Sequence, residues 1–430
     1  MIGRFSLILV CLVQLGLAPA TAPAEVRPRT ADTDEIYERF APAVVQIRIL
    51  NRASSSKKAI GSGFYAATTG RIITNYHVVS DLVQHPKKYQ AELVGKDGVT
   101  IPVALVHLDV VHDLALLEAP VAPAALLALA AEPPRQGTRL FSLGNPFDLG
   151  TSIVEGTYNG LLQETLYEKI HFTGSINPGM SGGPAVDSRG QVVGINVATA
   201  GNALSFLIPA KYAAALIAAA NDPAYQTPAN FTGIIRDQLI QNQQVLMDHL
   251  LGGRFEELSL GSFRVPGRFA PFVKCWGDEQ TEARQPYDAV VHSCSTSDSV
   301  YVADTLSSGA IKYSHQWYRA KDLNRFQFYS LYEDQFTAGG IGTGSRDLVT
   351  RFECNTEVVG RDGVDMKMVL CLRGYKKMRG LYDAFLMAAS LNDNFTGLQT
   401  KLELHGVTFE NAHLLARKFV DAITWAPPSS

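Results

Sequence analysis

Short apolar runs separated by clusters of Gly, Pro, Asn and Asp pattern the first half of the chain. Val44-Val45-Gln46-Ile47-Arg48-Ile49, Arg71-Ile72-Ile73-Thr74, Val103-Ala104-Leu105-Val106, Leu114-Ala115-Leu116-Leu117 and Gln191-Val192-Val193-Gly194-Ile195 each read as a strand. Many short strands at this spacing predict a barrel or sandwich, and no repeat of strand and long helix points to a doubly wound sheet. From Lys211 the period changes. Lys211–Ala220 reads as a helix, residues 221–230 as a Pro-containing linker, and Gly233–Leu251 carries Ile, Leu, Val and Met at helical spacing.

Further along, strand-like runs recur at Phe263-Arg264-Val265, Phe272–Cys275, Ala289-Val290-Val291, Val300-Tyr301-Val302, Phe326–Tyr329 and Met366–Cys371. Helical spacing returns at Leu381–Leu391 and Glu410–Thr424. The second half, residues 231–430, therefore predicts a separate α+β domain. Its aromatic cluster, Trp317-Tyr318, Phe326–Tyr329 and Tyr332, reads as core, and the basic stretch Arg373–Arg379 as a solvated loop or helix start.

The 430 residues, 46% hydrophobic and 18% charged, suffice for two cores. A formal charge of −3 gives no electrostatic footprint for nucleic acid, so none is expected as a partner. Residues 1–24 carry Arg4, an apolar run from Phe5 to Leu17, and small residues at Ala18-Pro19-Ala20 and Ala22-Pro23-Ala24. They read as a signal peptide, because the apolar run is shorter than the ~20 residues a bilayer needs. No integral membrane segment is expected after its cleavage, and the destination is the periplasm or full secretion. Four cysteines remain, Cys275, Cys294, Cys354 and Cys371. In an oxidising compartment they suggest two disulfides, with the local pairs Cys275–Cys294 and Cys354–Cys371 favoured over the other two connectivities.

Three segments of the first half carry chemistry. Asn177-Pro178-Gly179-Met180-Ser181-Gly182-Gly183-Pro184 sets a serine on a glycine-rich turn, where the N–H groups of Gly179 and Ser181 could face one spot. A serine hydroxyl needs a base to become a nucleophile, and His77, after an apolar strand, offers an imidazole of suitable pKa. His107-Leu108-Asp109-Val110-Val111-His112-Asp113 supplies a carboxylate that could hold the imidazole tautomer; on composition either Asp109 or Asp113 fits.

The order His, Asp, Ser together with Gly61-Ser62-Gly63-Phe64, Thr74–Val79, Asp113–Leu117, Leu143–Phe147, Asn177–Pro184 and Gly194-Ile195-Asn196 resembles the HtrA-type branch of trypsin-like serine proteases over residues 36–220. The resemblance implies a mainly β fold, a chymotrypsin-like double β-barrel followed by the disulfide-containing α+β domain. It implies a serine endopeptidase that needs no cofactor or metal and acts on unfolded or extended polypeptides, and it leaves homo-oligomerisation open. Ser181 would attack, His77 relay the proton, Asp113 rather than Asp109 orient His77, and Gly179 and Ser181 form the oxyanion hole. Ser175, six residues before Ser181, stands where Lys/Arg-specific relatives carry an aspartate. Ile176, Ile195, Asn196, Val197, Ala200 and Leu204 would line a site for small or medium apolar P1 side chains, with Gly194–Val197 an exposed edge for substrate.

The chain also departs from the family pattern. Met180 precedes the serine where the family usually carries asparagine, and no PDZ-type carboxylate loop follows residue 230. The alternative reading is a catalytically silent scaffold whose C-terminal domain binds an envelope partner.

Overall fold

The computed structural model describes residues 33–425 except 68, 96–97, 200–203, 281–284, 338–343, 362 and 392. The expected signal peptide and Ala200 lie outside the described residues. After a short helix α1 (Thr33–Phe40), six strands close into a barrel: β1 (Val44–Asn51), β2 (Lys57–Ala67), β3 (Arg71–Thr74), β4 (Tyr89–Val94), β5 (Thr100–Asp109) and β6 (Leu114–Glu118). Between β3 and β4 the chain forms helix α2 (Tyr76–Gln84). A second closed barrel follows from β7 (Arg139–Gly144), β8 (Ser152–Leu161), β9 (Ile170–Phe172), β10 (Pro184–Val186), β11 (Val192–Thr199) and β12 (Ser205–Pro209). Closure leaves neither sheet with a free edge, which is how many short strands satisfy their backbone groups. The fold is mainly β, as the chymotrypsin-like double barrel requires.

Helix α3 (Ala210–Ala220) ends the second barrel, residues 221–230 hold neither helix nor strand, and α4 (Thr232–Gly252) begins the C-terminal region. There β13 (Glu257–Leu260), β14 (Phe263–Pro266) and the final β24 (Thr424–Trp425) form a small sheet. A seven-stranded antiparallel sheet runs in the order β15 (Val273–Gln280), β16 (Tyr287–Thr296), β19 (Ala310–Ala320), β23 (Thr396–Val407), β22 (Tyr382–Ser390), β21 (Val364–Gly374), β20 (Glu353–Arg361). A hairpin of β17 (Val300–Ala303) and β18 (Leu306–Ser308) stands apart from it, with α5 (Arg325–Gln335) and α6 (Phe409–Asp421) completing the region. Cys275 lies opposite Cys294 on β15 and β16, Cys354 opposite Cys371 on β20 and β21, and both pairs are disulfide-bonded.

Four local expectations are corrected. Phe326–Tyr329 is not a strand but the start of α5, because Asn324 accepts from the Gln327 N–H while the Gln327 side chain returns to the Asn324 N–H. That capping box outweighs the β-preference of the aromatics. Leu381–Leu391 is not helical: β22 sits inside the large sheet, covered on both faces, so its apolar run carries no alternation to read. Gly194–Val197 is not a free edge, since Ile195 faces Pro184 of β10 on one side and Ile208 of β12 on the other. The basic stretch is not wholly solvated, because Arg373 is buried against Asp383, 2.7 Å away, and Tyr375 and Met378 are core.

The core of the first barrel does not stop at the expected boundary. Ile47, Ile49, Ile72 and Leu117 share one cluster with Phe231, Ile235, Val300, Val302, Tyr375 and Leu381 from beyond it.

Candidate active site

Helix α2 begins one residue before His77, and its start is clamped by a single loop residue. Asp113 adopts a left-handed conformation, φ 53°, which aspartate tolerates better than most side chains. In that pose its carbonyl accepts from the Tyr76 N–H at 3.1 Å and from Asn75 Nδ2 at 2.9 Å. Its carboxylate accepts twice from His77, through Oδ1 from the backbone N–H at 2.8 Å and through Oδ2 from Nδ1 at 2.7 Å. The proton on Nδ1 leaves Nε2 as the free base position.

Burial disfavours the charged imidazole, but the charge and hydrogen bond of Asp113 outweigh it, and the His77 pKa is raised above its ordinary value. Asp109 is engaged elsewhere. It accepts from the His112 N–H at 3.0 Å and from His112 Nδ1 at 2.6 Å, and His112 stacks on Tyr212.

Ser181 comes to this corner through the backbone. Its carbonyl accepts from the Ser62 N–H at 2.7 Å, and the Ser62 carbonyl accepts from the Thr74 hydroxyl at 2.7 Å. Gly182, with φ +85°, presses against the Ser62 carbonyl, Thr74 and the Asn75 N–H, so the nucleophile turn abuts the residues just before His77. The Ser181 hydroxyl donates to the Val197 carbonyl at 3.5 Å; among the described residues it makes no hydrogen bond to His77.

Gly179 has φ +95° and closes a turn in which the Met180 N–H donates to the Asn177 carbonyl at 3.0 Å. Only glycine adopts that φ freely. The Gly179 carbonyl is turned away onto the Ser62 hydroxyl at 2.7 Å, and that hydroxyl also accepts from the Asn145 N–H at 2.8 Å. Among the described residues, the N–H groups of Gly179 and Ser181 donate to no protein acceptor. Met180 is fully buried in the second barrel, so its thioether fills core volume there and does not face the site.

The residues expected to line the specificity pocket divide. Ile176, Ile195 and Asn196 are at most 4% exposed; Asn196 holds the Leu143 and Met180 carbonyls with its amide. Val197 and Leu204 are half-buried, and Ser175 is exposed. Sequence reasoning missed the bridging role of Ser62, although it lies within the Gly61-Ser62-Gly63 segment singled out for resemblance. Among the described residues one metal-type cluster occurs, Cys275, His292 and Cys294, and two of its three members are bonded to each other.

A family model described as "Trypsin-like peptidase domain" matches residues 61–195. Over 207 residues the chain is 33% identical to "Serine protease HTRA2, mitochondrial" of Bos taurus, covering 45% of this chain and 43% of that protein. It is 33% identical to "Serine protease HTRA1A" of Danio rerio, over 41% of this chain and 38% of that one. With "Protease Do-like 1, chloroplastic" of Arabidopsis thaliana the identity is 31%, over 42% and 47%. A crystal structure of the serine endoprotease from Yersinia pestis aligns at 28% identity and a TM-score of 0.39, covering 44% of this chain and 66% of that chain. The chain spans less than half the length of these curated relatives.

Proposed function

We propose, from a chain whose residues 61–195 carry a trypsin-like peptidase domain of the HtrA type, that the protein is a serine endopeptidase acting on unfolded or extended polypeptides. The observation that carries the reading is the pair of hydrogen bonds from His77 to Asp113, through the backbone N–H and through Nδ1, which sets the ring so that its neutral form offers Nε2 as the base. In the proposed reaction the Ser181 hydroxyl rotates from its long bond to Val197 onto Nε2. A hydrogen bond of that length is weak, so the rotation costs little. His77 takes the proton as Ser181 attacks the scissile carbonyl, and Asp113 stabilises the imidazolium. The unengaged N–H groups of Gly179 and Ser181 would receive the oxyanion, and His77 then passes the proton to the leaving amine. Water repeats the sequence to release the acyl group.

Preference for small or medium apolar P1 side chains belongs to the same proposal, with Val197 and Leu204 the half-buried candidates and Ser175 offering no counter-charge to a cationic side chain. So do the organisation into a peptidase domain over 36–220 and a C-terminal domain over 231–430, and export with loss of residues 1–24. Two disulfides, and no described helix long and apolar enough to cross a membrane, are compatible with an exported protein.

Labelling by a fluorophosphonate probe, abolished in Ser181→Ala, is the expected result. A folded wild-type chain that resists the probe and cleaves no denatured polypeptide would refute the reading.

A further inference from the structure

The hairpin β17–β18 belongs by sequence to the C-terminal region but packs on the helix that carries His77. Val300, Val302 and Leu306 enter the core of the first barrel. The Val302 carbonyl accepts from the buried Tyr76 hydroxyl at 2.8 Å and from Gln84 Nε2 at 3.4 Å, one contact near each end of α2. Asp304, at the hairpin turn, accepts from Lys58 on β2 at 3.3 Å. This seating places the Tyr301 ring edge-to-face with the His77 imidazole, centroids 6.1 Å apart and planes 77° to each other. The same ring meets Tyr76 at 6.4 Å. The Tyr301 hydroxyl is held by Asp304 at 2.9 Å and lies 3.3 Å from the Ser80 hydroxyl, which donates to the His77 carbonyl at 3.0 Å.

An imidazole that is 31% exposed has room to leave the rotamer in which Nδ1 meets Asp113. The Tyr301 ring, held by the packing of its hairpin into the first-barrel core, closes one side of the imidazole and limits where it can turn. We propose that Tyr301 is a positioning residue for His77, supplied by the C-terminal region, whose ring confines the imidazole to the pose that donates to Asp113 and presents Nε2 to Ser181. Its consequence for rate rests on the serine endopeptidase reading; its consequence for the imidazole does not. Nothing in the local sequence announces the role, because Val300-Tyr301-Val302 reads as an ordinary strand.

The test uses the full chain, with active sites titrated by fluorophosphonate so that rates refer to folded sites. Tyr301→Leu, which keeps apolar volume in the hairpin, lowers kcat roughly tenfold with KM changed less than about twofold, and Tyr301→Phe restores kcat to within about twofold. Independently of turnover, hydrogen–deuterium exchange at the His77 ring carbon, read by mass spectrometry in the Ser181→Ala background, is faster with Leu at 301 and unchanged with Phe. Unchanged exchange and unchanged kcat per titrated site in Tyr301→Leu would overturn the proposal, even if the melting temperature fell. So would a Phe variant as impaired as Leu, which would assign the effect to the hydroxyl. A wild-type chain that no probe labels defeats the peptidase reading, and the ring-exchange comparison then decides the Tyr301 question alone.

Discussion

The hydroxyl of Ser62 donates to the carbonyl of Gly179 across 2.7 Å, joining the first barrel to the turn that precedes Ser181. That bond turns the Gly179 carbonyl away, and the adjoining bond from the Ser62 N–H holds the Ser181 carbonyl. Ser62→Ala keeps the second bond and loses the first, together with the bond that the hydroxyl accepts from the Asn145 N–H. The expected result is a kcat lowered by about tenfold or more, with a stability loss of only about 1 kcal/mol. Steady-state kinetics beside thermal melts check it, and an unchanged kcat would count against a pre-set turn.

Asp113→Asn removes the charge that raises the His77 pKa and disturbs the tautomer on Nδ1. The proposed base works neutral, so wild-type activity rises as pH climbs through the His77 pKa. In the variant, kcat falls on the order of ten-thousand-fold, and the residual acid limb moves to lower pH because the imidazolium has lost its partner. A pH–rate profile of both proteins measures the two effects together.

Gly182 sits at φ +85° with no room for a side chain: an added Cβ would collide with the Ser62 carbonyl and the Thr74 hydroxyl. Gly182→Ala is expected to cost at least about 2 kcal/mol and to abolish probe labelling of Ser181 in whatever fraction folds. Chemical denaturation and labelling of the same sample test both parts.

His405 lies between two carboxylates, 3.4 Å from Asp383 and 3.8 Å from Glu403. Burial opposes its charge, but the two acids prevail and push its pKa up to about 9. A pKa raised in the folded state adds stability that is fully present below the unfolded value, near 6.5, and is lost as pH rises through about 9. The contribution at the acid end is at most about 3 kcal/mol. Melting curves across this window should fall for the wild type and run flatter for His405→Asn.

The barrels and the candidate site were legible for different reasons. Strands such as β1 and β6 are apolar runs bounded by turn residues, and the chemistry sits in segments whose neighbours along the chain are also neighbours in space. His77 and Asp113 illustrate this, since His77 follows the end of β3 by three residues and Asp113 immediately precedes β6. What stayed hidden depends on contacts between distant positions. The Ser62 hydroxyl meets Gly179 across 117 residues, and the Tyr76 hydroxyl meets Val302 across 226, so no periodicity encodes either. β22 hides from sequence reading because burial on both faces erases alternation, and α5 because its aromatic content resembles a strand while its start is set by the capping box at Asn324.

The cluster shared by Ile47, Leu117, Phe231, Val302 and Leu381 bears on how the polypeptide is handled at the bench. A fragment ending near residue 220 would contain every group assigned to the chemistry, yet it would carry an uncovered apolar wall where α4 and the hairpin normally lie. Such a fragment is expected to aggregate rather than serve as a minimal enzyme, and a protease nick between residues 221 and 230 should leave the two pieces associated until denaturant separates them.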